Sequence, residues 1–231
     1  IAIFNANDLM PTNADGTMPF RQNSDLFYLS GVEQEDSILV IFPDAYLSAF
    51  REVLFLRETN EEIAIWEGEK LTKDRASEVS GIKTVYWLNQ FEAMFTRMMF
   101  EAKHVYVNTN EHTRASVQVE TKDARFIKKL KEKYPVHQYE RSAPVMHALR
   151  AIKTDTEIEL IKTACGITEK AFRKILQFVK PGVMEYEIEA EITGEFLRNR
   201  SRGHAYSPII ASGYSACVLH YIDNDKVCKD G

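Results

Sequence analysis

An imidazole in an apolar run is the first candidate for chemistry. Val218-Leu219-His220-Tyr221 places His220 just after the glycine-containing turn Ser212-Gly213-Tyr214-Ser215. Histidine exchanges a proton near neutral pH and keeps an N–H donor in either protonation state. From spacing alone a core histidine satisfied by its neighbours is the commoner outcome, and no reaction follows from the residue types by themselves. Tyr206, on another β-like run, offers a phenolic hydroxyl, but packing is the commoner use of a strand tyrosine.

Other reactive patterns fail on inspection. Gly213-Tyr214-Ser215-Ala216-Cys217 ends in cysteine where a nucleophile elbow needs glycine, and it lies between two β-like runs instead of at a strand-to-helix turn. Asp223-Asn224-Asp225 resembles the start of a calcium loop, but Val227 and Cys228 fall where a ligand and a glycine are required, so a surface turn is expected. No histidine pair has metal-ligand spacing on one helix face.

The elements that would carry these residues are readable from periodicity. Short β-rich runs at Ser37–Phe42, Val53–Leu56, Thr84–Trp87 and Val105–Val107 alternate with helical stretches at Asn89–Ala102 and Lys122–Tyr134, which predicts an α/β layered domain. The pattern breaks over Gln138–Arg150, where the crossing between domains is expected. Thr154 and Glu157 then form a capping box, and helical spacing runs from Ile158 to Val179. Met184–Arg198 fits both periods, but its Glu and Ala content favours helix. Tyr206–Ala211 and Cys217–Ile222 are expected as two short strands around a turn.

The net charge of 29 − 34 = −5 and the absence of a clustered basic face argue against nucleic acid as a partner. The densest basic run, Lys128-Lys129-Leu130-Lys131, is expected to be a solvated helix face. No apolar run is long enough for a membrane helix, and the start lacks the charged flank of a secretory signal, so a cytoplasmic protein without a membrane partner is expected. Cys165, Cys217 and Cys228 form no paired set and are expected to be buried thiols.

Several segments in order resemble the Xaa-Pro aminopeptidase (aminopeptidase P) family. They are Pro19-Phe20-Arg21-Gln22-Asn23-Ser24-Asp25 through Ser30-Gly31, Trp66-Glu67-Gly68, Leu149-Arg150-Ala151-Ile152-Lys153, Pro181-Gly182, Glu185 to Glu191, and Ser212-Gly213 to Leu219-His220-Tyr221. The resemblance implies an α/β (α+β) protein. Residues 1–143 would form a creatinase-like domain, a mixed β-sheet flanked by helices, and residues 144–231 the first part of a pita-bread metallopeptidase domain.

The resemblance also implies an activity: removal of the N-terminal residue from peptides with proline second. A hydroxide bridging two divalent metal ions, Mn2+ by family analogy, would attack the carbonyl before proline. The ligands, two Asp, one His and two Glu, are expected downstream of Gly231, so no metal ligand is expected in this chain and the chain alone should be inactive. His220 falls on the family histidine that steadies the tetrahedral intermediate, and Tyr206 on a pocket-lining tyrosine. Trp66 matches a tryptophan that in some members reaches a neighbouring subunit's active site; otherwise it is an exposed aromatic packed on its own domain. The implied partners are Xaa-Pro peptides and further copies of the chain, as a dimer or tetramer. Two rival readings share the fold: prolidase, which cuts only dipeptides, and a metal-free peptide- or histone-binding module. The presence of His220 and Tyr206 argues against the second.

Overall fold

The computed structural model describes residues 1–112 and 118–230. Contacts group the chain into two compact units, Ile1–Ala151 and Ile152–Gly231.

In the first unit six strands form one sheet: β1 (Ala2–Asn5), β2 (Ile38–Ile41), β3 (Glu52–Leu56), β4 (Thr84–Trp87), β5 (His104–Val107) and β6 (Gln138–Arg141), in the order β4-β3-β2-β1-β5-β6. β2 is antiparallel to both β1 and β3, and the β1–β5, β5–β6 and β3–β4 pairs are parallel.

Both faces of the sheet are covered, which explains why its central strands are apolar at consecutive positions rather than alternate ones. Ile3, Val40, Val53 and Phe55 point to one face. There they meet Phe91, Phe95, Met98 and Met99 of α4 (Phe91–Glu101) and Leu130 of α5 (Lys122–Lys133). Phe4, Leu39, Leu54 and Leu56 point to the other face, against Leu26 of α1 (Ser24–Ser30), Ala76 of α3 (Lys73–Ser80) and Met146 of α6 (Ala143–Ala151). α1 starts where the Asn23 side chain accepts from the Asp25 and Leu26 N–H groups. It stops at Gly31, whose φ of +67° suits glycine and whose N–H returns to the Phe27 carbonyl. The exposed α2 (Glu61–Glu67) lies between β3 and α3 in sequence.

The second unit is built on α7 (Asp155–Phe178) and α8 (Glu185–Arg198). The expected capping box opens α7: Glu157 N–H donates to Thr154 Oγ1 at 3.3 Å, and Thr154 N–H donates to Glu157 Oε2 at 2.9 Å. Lys174 to Glu191 (2.5 Å) and Lys170 to Asn199 (2.8 Å) link the two helices.

Four expectations are corrected. Gln138–Arg150 is not an irregular crossing but β6 followed by α6; its polar residues mark an edge strand, since β6 pairs only with β5. Tyr206–Ala211 and Cys217–Ile222 are not strands. Irregular chain surrounds a short 3-10 turn at Gly213–Cys217, where Ser212 and Tyr221 bond to Glu185 of α8 and the Ile210 N–H to Asn224 instead of to a strand partner. The cysteines are not buried: Cys165 and Cys217 are exposed and Cys228 is half-buried. Asn224 is not at a surface turn but buried. Lys128, Lys129 and Lys131 are exposed on α5, as expected of a solvated face.

Candidate functional site

The irregular segment after α8 carries Tyr206 and His220, and one face of α8 holds it in place. Glu185, Glu189 and Thr193 are spaced four residues apart, so they stack along one side of the helix. Each takes a different part of the segment. Thr193 Oγ1 lies 2.9 Å from His204 Nε2, and the His204 ring packs on Phe196 with centroids 5.0 Å apart. Glu189 accepts from Asn224 Nδ2 at 2.8 Å. Asn224 also donates to the Pro208 carbonyl at 3.1 Å and accepts from the Ile210 N–H at 2.9 Å. Its φ of +47° is a conformation that asparagine tolerates better than most residues.

Glu185 is fully buried and makes the densest set of bonds. Its Oε1 accepts from the Ser212 N–H at 2.6 Å and from Ser212 Oγ at 2.7 Å. Its Oε2 accepts from the Tyr221 hydroxyl at 2.6 Å and from the Lys226 N–H at 3.0 Å. The Glu185 N–H in turn donates to the Lys226 carbonyl at 2.9 Å. Burial alone would push this carboxyl up, but the donors from Tyr221, Ser212 and Lys226 outweigh it and hold the pKa at about 2. The Tyr221 hydroxyl is pushed up to about 12, by burial first and then by the bond to Glu185. Glu185 is therefore ionised and Tyr221 neutral across the physiological range, as the bond between them requires.

His220, beside the anchored Tyr221, is exposed, and no hydrogen bond to its side chain is found among the described residues. The expectation of a satisfied core histidine thus gives way to an imidazole free to meet a ligand. Tyr206 lies on the same segment and is 78% exposed. Trp66 belongs to the first unit, on α2, where it is 83% exposed beside the equally exposed Ile65. α2 is held at its ends: Asn60 Oδ1 accepts from the Ile63 N–H at 2.8 Å, and Arg57 grips Glu67 with two bonds of 2.7 and 2.8 Å.

Reading the sequence missed Glu185, Ser212, Asn224, Tyr221 and Lys226 as a connected set. The only local signal was an acidic row at four-residue spacing beside the apolar row of α8; the bonded partners lie 27 to 41 residues away from Glu185.

The residues present do not make a metal centre. No group of three or more His, Cys, Asp or Glu is arranged for one among the described residues, and both oxygens of Glu185 are already committed to protein donors.

With this geometry in place, comparison with known proteins is informative. Residues 1–106 match the family described as aminopeptidase P, N-terminal domain, and residues 159–231 match metallopeptidase family M24. The two matches fall one in each compact unit. In both units the chain is similar to the aminopeptidase P family. Among curated aminopeptidase P relatives, the Xaa-Pro aminopeptidase of Escherichia coli is 30% identical over 95% of this chain and 50% of its own length. That of Haemophilus influenzae is 29% identical over 95% and 48%. The chain thus spans about half the length of the curated relatives it matches. Among solved structures, a Bacillus anthracis protein described as an aminopeptidase P superposes with a TM-score of 0.89 at 32% identity, over all of this chain and 54% of that one. Zinc-substituted Escherichia coli aminopeptidase P in complex with product gives 0.84 at 26%, over all of this chain and 52% of that one. The six-stranded mixed sheet and the α7–α8 unit are therefore the aminopeptidase P fold: a creatinase-like domain followed by the start of a pita-bread domain.

Proposed function

We propose that these residues belong to a metallo-aminopeptidase that removes the N-terminal residue from peptides with proline in second position. Residues 1–143 would be its creatinase-like domain and residues 144–231 the opening of its catalytic domain. The observation that supports the reading is His220: an exposed imidazole on a segment tied down by buried bonds to α8, where the resemblance puts the family histidine.

His220 would donate its N–H to the oxygen of the scissile carbonyl as charge builds there, a role that needs a donor fixed before the reaction begins. Tyr206, exposed on the same segment, would line the substrate pocket. Because a proline amide has no N–H to bond, selection would rest on apolar shape instead. Two divalent ions, Mn2+ by family analogy, would supply the activated water when bound; their ligands are expected beyond Gly231. Trp66, exposed on α2, would reach the active site of a neighbouring copy in a dimer or tetramer. No helix of the described residues is long and apolar enough to cross a membrane, and a cytoplasmic enzyme is our reading.

The test is an assay of the full-length protein with Mn2+ on Xaa-Pro-Xaa tripeptides and Xaa-Pro dipeptides. Release of the first residue from the tripeptide is expected. Cleavage of dipeptides alone would make it a prolidase, and peptide binding without cleavage would make it a non-catalytic module.

A further inference from the structure

Of the titratable side chains outside the reaction just described, Glu185 has the least exposure and ties together the most distant parts of its unit. Its carboxylate joins three points of one irregular segment: Ser212 before the 3-10 turn, Tyr221 next to His220, and Lys226 at the return toward α8. Each of these points lacks a regular ladder of backbone bonds. The isolated bridge Met184 to Val227, with Glu185 N–H to Lys226 carbonyl beside it, is the nearest approach to one. A loop held in this way depends on the side chain at its centre, since loss of that side chain orphans two backbone N–H groups and the Ser212 hydroxyl together and leaves the Tyr221 hydroxyl only its longer 3.2 Å bond to Asp225.

We propose that Glu185 is a positioning residue for His220: by bonding Ser212, Tyr221 and Lys226 at once, it fixes where the His220 backbone stands above α8. This rests on the reading of His220 as the oxyanion donor. A donor displaced by about 1 Å from its working position can cost on the order of 100-fold in rate. Glu185 itself touches no substrate, as its oxygens are buried and committed to protein donors. Its effect must therefore pass through His220.

The experiment is a double-mutant cycle on the full-length, metal-loaded enzyme, comparing Glu185→Gln, His220→Ala and the combination by kcat and KM on an Xaa-Pro-Xaa tripeptide. Glutamine keeps the shape of the side chain but turns an amide NH2 toward donors that need an acceptor. The expected result is a fall in kcat of about tenfold or more for Glu185→Gln with KM within about twofold, and a combined variant no slower than His220→Ala alone. A merely structural role would multiply the same loss in both backgrounds, or lower thermal stability with kcat intact, and either result overturns the proposal. Tyr221→Phe, which removes one of the bonds and keeps the ring, gives the same comparison if Glu185→Gln fails to fold. Full activity in His220→Ala would sink the reading of His220 and this proposal with it. A slow His220→Ala beside fully active Glu185→Gln and Tyr221→Phe would sink the positioning role alone.

Discussion

His220 and the two buried acids, Glu185 and Asp123, answer to different forces. If His220 donates to the oxyanion, His220→Ala should lower kcat in the full-length enzyme by about 100-fold or more, the usual consequence of losing one such donor; an unchanged kcat would leave the histidine a bystander. Glu185 has a folded pKa depressed to about 2, so its contribution to stability is fully present above the ordinary carboxylate value and is lost as pH falls from there toward 2. Asp123 has the opposite sign. Burial raises its pKa despite donors from Asn5, Asn108 and Asn110, so its contribution is present at low pH and lost as pH rises through the raised value. The two acids sit in different units. Acidification to about pH 3 should therefore draw on Glu185 to weaken the α7–α8 unit, a loss that Asp123 does not impose on the first. Urea unfolding can separate the two, because both tryptophans, Trp66 and Trp87, report the first unit by fluorescence while circular dichroism follows the helices of the whole chain. In Glu185→Gln the acid-dependent loss should shrink.

Elements in this chain owe their stability to packing more than to propensity. Phe55 is completely buried, with its ring edge-on to Phe91 at 5.1 Å and stacked near Tyr86 at 5.8 Å. Phe55→Ala should cost roughly 3–5 kcal/mol, read as a shifted urea midpoint of the first unit. The capping box of α7 is exposed and local, so Thr154→Ala should cost about 1 kcal/mol in the second unit and leave the first unchanged. Strands β2 to β5, the capping box and both long helices of the second unit were legible because each rests on neighbours a few residues away. β6 and α6 were not legible: an edge strand needs no apolar alternation, and α6 begins with Ala143-Pro144, where proline fits the first turn of a helix but reads as a break.

The whole molecule is two units, with a sheet domain ahead of a helical unit that carries the candidate site. If the metal ligands lie outside this chain, as the resemblance implies, the isolated 231-residue chain should release no N-terminal residue from Xaa-Pro peptides at any Mn2+ concentration. Measured turnover by this chain, verified by intact mass, would contradict that expectation. The unit after Ala151 also leaves Leu176, Leu219 and Phe172 exposed, so the isolated chain should bind a hydrophobic dye more strongly than the full-length enzyme does.

The sequence by itself determined the family resemblance, the α/β pattern of the first unit, the two long helices and the candidates His220, Tyr206 and Trp66. Periodicity, caps and motif order are written in residues close to one another. Only the tertiary structure decided that the segment from 204 to 226 is not a pair of strands but a loop fastened to a polar row on α8, and that His220 is exposed while Tyr221 beside it is buried. That outcome depends on a carboxylate meeting donors 27 to 41 residues along the chain, and no local pattern encodes which distant donors a buried charge will find.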